Sequence, residues 1–417
     1  MNDQNKPVAI VLGGTNPHVA LVNKLKARGY YTVLVDYLST PPAAKVADEH
    51  VQESTLDKEL VTKIAKEKNA AIIITTNIDQ ANVTACYAAE QNGIKPPYSY
   101  ETALNVTDKS RMKKIMWENS IPTSAYFIAE SLEDALAADI QYPVVVKPAD
   151  SNGSRGVHRV NDEADLCHYF PIAQEESRNK KVVVEGYVTG TEVSFYYYIQ
   201  DGEAHFIDGY QRFNFKTKNE DVIQSTGVVF PAGISEEAYR EMHRITNKIA
   251  DAFKLDNTPL FVQAIADGDK AYVLEFAPRI GGGLSYRVME RDCRFDLIEA
   301  AIDSFEGKRV EINSVLPDYY SGVLNIYSPG ITMGEITGVE DVLEKGIASE
   351  FYQYRLKGTE ISGDMSSGSR AGAFLIHAES IEEIKKRVLY INENVEVYDI
   401  NGNKAMRHDV YDVWKEQ

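Results

Sequence analysis

Short, nearly unbroken apolar runs alternate with amphipathic segments through the N-terminal part of the chain. "VAIVLGG" from Val8, "YYTVLVDY" from Tyr30 and "AAIIITT" from Ala70 are apolar enough for strands covered on both faces. Between them, "PHVALVNKLKARG", "TLDKELVTKIAKEKN" and "QANVTACYAAEQNG" carry helical periodicity, the first and last closed by Gly29 and Gly93. Such alternation predicts a doubly wound α/β domain over 1–105 with parallel strands, and ligands on such sheets gather at the carboxyl ends of the strands.

The period changes after the helix-like "DKSRMKKIMWENS" and the stop "IPTS". "YPVVVKPADSNGSRGVHRV" and "KVVVEGYVTGTEVSFYYYIQDGEAHFIDGY" alternate as antiparallel hairpins, and a long helix at about Glu236 to Phe253 precedes a further hairpin, "LFVQAIADGDKAYVLEF". The pattern predicts an α+β domain over 106–305, then a small β-rich domain over 306–417, where strands shorten and turns multiply.

Composition narrows the function. Acids outnumber bases 62 to 44, a net charge of -18, which argues against nucleic acid or an anionic membrane as partner. An anionic ligand therefore needs a local basic site. No basic leader and no apolar run of membrane length stands in the sequence, so the expectation is a cytoplasmic protein. Cys86, Cys167 and Cys293 are too few and too scattered for a disulfide framework or a zinc cluster.

Four stretches carry more chemistry than structure requires. "VLGGTNPH" puts Gly13 and Gly14 between a strand and a helix, with Asp36 closing the next strand; the spacing is not the G-x-G-x-x-G of dinucleotide binding, which leaves a tight turn or a small-molecule pocket. A hairpin needs about two to five loop residues. The turn after Lys147 instead runs through Asp150, Ser151, Asn152, Gly153, Ser154, Arg155 and Gly156, donors able to wrap phosphate oxygens beside a fixed lysine. Glu185 and Glu192 flank a Gly-Tyr-Val hinge. Gln263 and Glu275 lie on adjacent strands of one hairpin, able to face the same side, with Arg279 and Gly281 to Gly283 at its end.

In this order, over about Val106 to Ala300, these residues resemble the ATP-grasp superfamily of carboxylate ligases. The resemblance implies an α/β pre-ATP-grasp domain, an ATP-grasp domain with a mobile lid at about 120–188, and a small β-rich terminal domain. It implies Lys109 and Lys147 on the nucleotide phosphates, Lys113 and Lys114 as solvated helix charges, and Ser151, Asn152, Gly153, Ser154 and Gly156 in a loop closing over the triphosphate. Glu185, Tyr187 and Val188 correspond to the adenine hinge, Glu192 to the ribose acid, and Glu275 with Gln263 to the magnesium ligands. Arg279 corresponds to the arginine beside the transferred phosphate, and Gly281 and Gly282 to backbone receiving the substrate carboxylate. Arg212, Lys216, Gly283, His18 and Asp79 are weaker substrate-side candidates.

Family members usually carry an acid where Gln263 stands and an asparagine where Ala277 stands, although some amino-acid ligases of the superfamily lack that asparagine, and the two departures thin the metal shell. The resemblance implies ATP with Mg²⁺, or Mn²⁺ in its place, and small carboxylate and amine substrates including an amino acid; the oligomeric state stays open, a homodimer being one alternative. The activity implied is amide formation through an acyl phosphate, with ADP and phosphate released. A carboxylase or carbamoyl-phosphate type of step, or ATP binding with weakened turnover, are the alternatives.

Overall fold

The computed structural model describes residues 6–151, 156–217, 220–363 and 365–416; within them the side chains of 216–223 and 416 are not described. The first sheet comprises β1 (Val8–Leu12), β2 (Tyr31–Val35), β3 (Glu49–Val51) and β4 (Ala70–Ile74), all parallel in the order β3-β2-β1-β4. Residues 9–12 of β1 are wholly buried, as a parallel strand with helices on both faces must be. The sequence pattern contained no cue for β3, which has only three residues and a half-buried side chain at each.

A second group, β5 (Tyr126–Ala129), β6 (Val144–Pro148), β7 (His158–Val160) and β8 (Val182–Gly186), pairs antiparallel in the order β7-β6-β8-β5. Then come β9 (Thr191–Gln200), β10 (Glu203–Thr217), β11 (Glu220–Phe230), β12 (Thr258–Asp267) and β13 (Lys270–Ala277), ordered β13-β12-β9-β10-β11. β8 and β9 do not form the hairpin that their sequence pattern suggested. β8 pairs β5 and β6, whereas β9 pairs β10 and β12, so residues 187–190 carry the chain from one group to the other. The groups meet again where β11 touches β7 at Val222 and His158.

Helix Glu236–Phe253 backs this larger group. Ser235 caps it through Ala238 N, Lys254 ends it in the left-handed region, and its buried face repeats Ala238, Met242, Ile245, Ile249 and Phe253 at helical spacing.

The C-terminal strands are β14 (Tyr320–Tyr327), β15 (Met333–Thr337), β16 (Glu350–Gln353), β17 (Arg370–Ala378) and β18 (Glu396–Asp399). β14 pairs β11 as well as β17, and β17 pairs β16, so these three strands extend the central sheet, while β15 and β18 form a separate two-stranded sheet. The Trp414 ring stacks on Phe213 with centroids 3.8 Å apart, and its Nε1 donates to Thr226 Oγ1 at 2.9 Å. At the opposite side, helix Asn16–Ala27 lies against helix Leu297–Phe305, joined by Arg28 to Glu299, Asp303 and Glu306. The first sheet, the central sheet and the C-terminal strands therefore surround one cleft.

Candidate active site

Helix Lys109–Glu118 starts at Asp108, whose carboxylate accepts from Ser110 N and Arg111 N. Lys109 and Lys113 are one helical turn apart and share a face. Contrary to the expectation of a solvated charge, Lys113 is only 1% exposed, while the neighbouring Lys114 is 72% exposed. The reason is a carboxylate beneath the helix. Lys113 Nζ lies 2.7 Å from Glu185 Oε2 and also donates to Thr123 and Ser124 hydroxyls, and Lys147 Nζ binds the other oxygen, Oε1. Burial alone would raise the Glu185 carboxyl, but the two ammonium groups outweigh it and hold its pKa down at about 2.

Two cavities meet at this end of the sheet. One of about 600 Å³ is lined by Lys109, Lys147, Ser151, Glu185, Tyr187, Val188 and Glu192. The other, of about 720 Å³, is lined by Asp79, Arg279, Gly282, Gly283, Asn325 and Arg370. Lys109, Arg212, Gln263 and Glu275 line both and form the junction.

At that junction Gln263 and Glu275 are direct cross-strand partners. Glu275 Oε2 lies 3.2 Å from Lys109 Nζ, which also donates to Ser151 O at 2.8 Å. With its amide oriented to satisfy both neighbours, Gln263 donates to Glu275 and accepts from Arg212. Arg212 reaches Glu192 at 3.4 Å, and Asn214 donates to the other Glu192 oxygen. Burial works against ionisation of Glu275, yet Lys109, Lys147 and Arg279 together keep its carboxyl below the ordinary range. Among the described residues no group of three or more His, Cys, Asp or Glu is placed to hold a metal ion.

Arg279 is fixed from the helix that follows β4 of the first sheet. Asp79, the first residue of helix Asp79–Gln91, holds its Nε at 2.7 Å and its Nη2 at 2.8 Å, while Nη1 donates to Ile280 O. The three glycines that follow do different things. Gly282 and Gly283 line the larger cavity, whereas a Cβ on Gly281 would come within 2.1 Å of Tyr196 Oη. Gly281 is thus a packing position in this structure, not a wall of the cavity.

Two further expectations are corrected. His18 lines neither cavity. It is fully buried, its ring against the Thr15, Thr75 and Thr76 hydroxyls, and burial lowers its pKa to about 3, so it supports the Gly13 turn as a neutral side chain. Gly156 has φ +68° and packs against Pro148 and Glu176, outside both linings. Asn152, Gly153 and Ser154 lie outside the described residues, as does the side chain of Lys216. The glycine turn at residues 13 and 14 is closed by Pro41, whose Cβ would be 2.4 Å from a Cβ on Gly14.

Sequence reasoning missed the C-terminal contribution to the larger cavity, Asn325, Ser366, Gly368 and Arg370, and with it Ser225 of β11. Arg370 donates from Nε to Tyr327 Oη at 2.8 Å. The available signal was polar residues interrupting apolar strands, as in "VLNIY" and "SRAGAFLI".

Residues 140–287 match the model of the ATP-grasp domain, so the chain contains an ATP-grasp domain. Its fold is similar to that of L-amino acid ligase from Bacillus licheniformis, at a TM-score of 0.76 and 18% identity, covering 95% of this chain and 99% of that one. It is also similar to N5-carboxyaminoimidazole ribonucleotide synthetase from Thermotoga maritima, with a TM-score of 0.74, 18% identity, and 94% and 99% of the two chains covered. In sequence, 28% identity over 276 residues relates it to the formate-dependent phosphoribosylglycinamide formyltransferase of Pyrococcus furiosus, covering 60% of this chain. The carbamoyl phosphate synthase large chain of Clostridium acetobutylicum is 24% identical over 69% of this chain. The chain spans 59% of the length of the former relative and 27% of the latter. No helix among the described residues is long and apolar enough to cross a membrane.

Proposed function

We propose that the protein is an ATP-dependent carboxylate-amine ligase that activates a small carboxylate as an acyl phosphate and transfers the acyl group to an amine, with an amino acid among its substrates. One observation carries this: Lys109, Arg212 and Glu275 stand where two cavities meet, with Lys147 on one side and Arg279 on the other. Such an arrangement suits phosphoryl transfer between a nucleotide in the smaller cavity and a carboxylate in the larger.

In this proposal Tyr187 and Val188 receive the adenine through the backbone, Glu192 the ribose, and Lys109 and Lys147 the phosphates. Ser151, whose carbonyl accepts from Lys109, lies beside the phosphates, and the chemistry requires that water be kept from the acyl phosphate. Arg279, held by Asp79, neutralises charge on the transferred group, and Gly282 N-H meets the substrate carboxylate. Among the described residues no nucleophilic side chain is required.

Magnesium prefers oxygen ligands and commonly uses one or two carboxylates together with substrate phosphates and water. Glu275, kept ionised, fits as the one carboxylate for Mg²⁺, or for Mn²⁺, accompanying the nucleotide; the amide oxygen of Gln263 is turned to Arg212 and would have to leave it to join the shell, and Ala277 offers no donor. The ion would neutralise the phosphates as charge shifts between them.

The thin donor set also favours a second reading, ATP binding without turnover. Phosphate release from Mg-ATP across amino acids, singly and in pairs, separates the two. Release that requires a particular pair supports the ligase; nucleotide binding without release under every pair overturns it.

A further inference from the structure

Lys113 lines neither cavity, yet its ammonium is fully used: Glu185 Oε2 at 2.7 Å, Ser124 Oγ at 3.2 Å and Thr123 Oγ1. Thr123 is itself anchored, donating to Val273 O at 2.7 Å, and Ser124 donates to the same Glu185 oxygen at 2.9 Å. Lys147 differs. It lines the smaller cavity, and its ammonium is paired with Glu185 Oε1. One buried carboxylate thus has two counter-ions, one walled in and one at the edge of open space.

We propose that Lys113 is a positioning residue, the fixed counter-ion of Glu185 that frees Lys147 to leave the carboxylate for a polyphosphate ligand. This rests on the nucleotide assignment above and concerns how that site is made ready. A buried carboxylate stripped of its only partner is strongly unfavourable. With Lys113 in place, Lys147 can turn its ammonium into the cavity while Glu185 keeps one ion pair and the Ser124 hydroxyl. Without it, Lys147 is held back, because engaging a phosphate would strand the carboxylate.

The groups facing Lys113 are Glu185 on β8, Lys147 on β6 and, at longer range, Glu275 on β13. Burial is the largest influence and lowers its pKa to about 8, with Glu185 opposing and Lys147 adding to the fall. Lys147 leaving Glu185 removes the repelling charge, so ligand binding favours the protonated form of Lys113. Affinity should therefore fall as pH rises through about 8, an effect absent from a variant lacking the amine.

Titration calorimetry with ATP and with inorganic tripolyphosphate, which has no base to read, tests this. For Lys113→Met the dissociation constants for both should rise on the order of 100-fold, the scale expected when a buried charge would be left unpaired. Adding Glu185→Gln to Lys113→Met should restore tripolyphosphate affinity, since a neutral amide does not retain Lys147. The wild-type pH series needs no variant and covers the case in which Lys113→Met fails to fold. Unchanged affinity in Lys113→Met, a double variant no tighter than the single one, or flat wild-type affinity through pH 8 to 9.5 (a window of about this width about the shifted pKa) would each overturn the inference while leaving the nucleotide site standing. Wild-type protein that binds neither ATP nor tripolyphosphate would overturn both.

Discussion

The Arg279 guanidinium is gripped side-on by the Asp79 carboxylate, through Nε to Oδ1 at 2.7 Å and Nη2 to Oδ2 at 2.8 Å. The arginine follows the end of β13 and the aspartate opens the helix after β4, so an element packed on the first sheet sets the position of a charge in the larger cavity. A bidentate pair fixes both the position and the plane of a guanidinium.

Asp79→Asn should leave the arginine in place but free to rotate. The expected result is a fall in kcat of about 10- to 100-fold, the scale of misplacing a group near the chemistry, with ATP affinity nearly unchanged. Stability should drop by about 1–3 kcal/mol, less than for a fully buried pair because both side chains retain some exposure, 14% and 19%. Steady-state kinetics and denaturant unfolding measure the two effects separately.

Acid should weaken the fold in two overlapping windows. Glu185 is held at about 2, below its ordinary 4.5, so the stability it contributes is complete above pH 4.5 and is lost as pH falls through about 2. His18, held at about 3 against 6.5, begins earlier: its contribution is complete above pH 6.5 and declines towards pH 3 because the unfolded chain takes the proton first. Urea unfolding of the wild type from pH 7 to pH 4 (a range spanning roughly the His18 window) should show a decline that His18→Gln flattens. A His18→Gln variant with the wild-type slope would contradict this account of the buried ring.

The adjacent glycines should separate packing from function. Gly281→Ala drives a methyl against Tyr196 Oη and should cost about 1–3 kcal/mol of stability. Gly282→Ala meets nothing nearer than Asn77 Nδ2 at 3.6 Å, so melting should stay at the wild-type temperature while turnover falls. Thermal melts with activity assays on both variants test the contrast.

How far the sequence reaches is visible in particular elements. Buried parallel strands such as "VAIVL" and the helix at 236–253 follow from local periodicity, and the tight turn between β12 and β13 made the cross-strand pairing of Gln263 with Glu275 foreseeable. What stayed hidden depends on distant residues. Lys113 reads as one more charge on a basic helix until Glu185 is placed beneath it. Pairing of β14 with β11 brings Asn325 to the cavity, and Arg370 arrives on the next strand, β17; no local pattern announces either. Gly281 and Gly282 are indistinguishable in sequence and separated only by Tyr196.

The most direct test of the proposed chemistry follows the carboxylate oxygen. Amino acids carrying heavy oxygen in their carboxyl groups, supplied in pairs with Mg-ATP, should yield phosphate that contains one heavy oxygen, because an acyl phosphate passes a carboxylate oxygen to phosphorus before the amine attacks. Product amide with phosphate bearing no heavy oxygen would contradict the acyl-phosphate ligase.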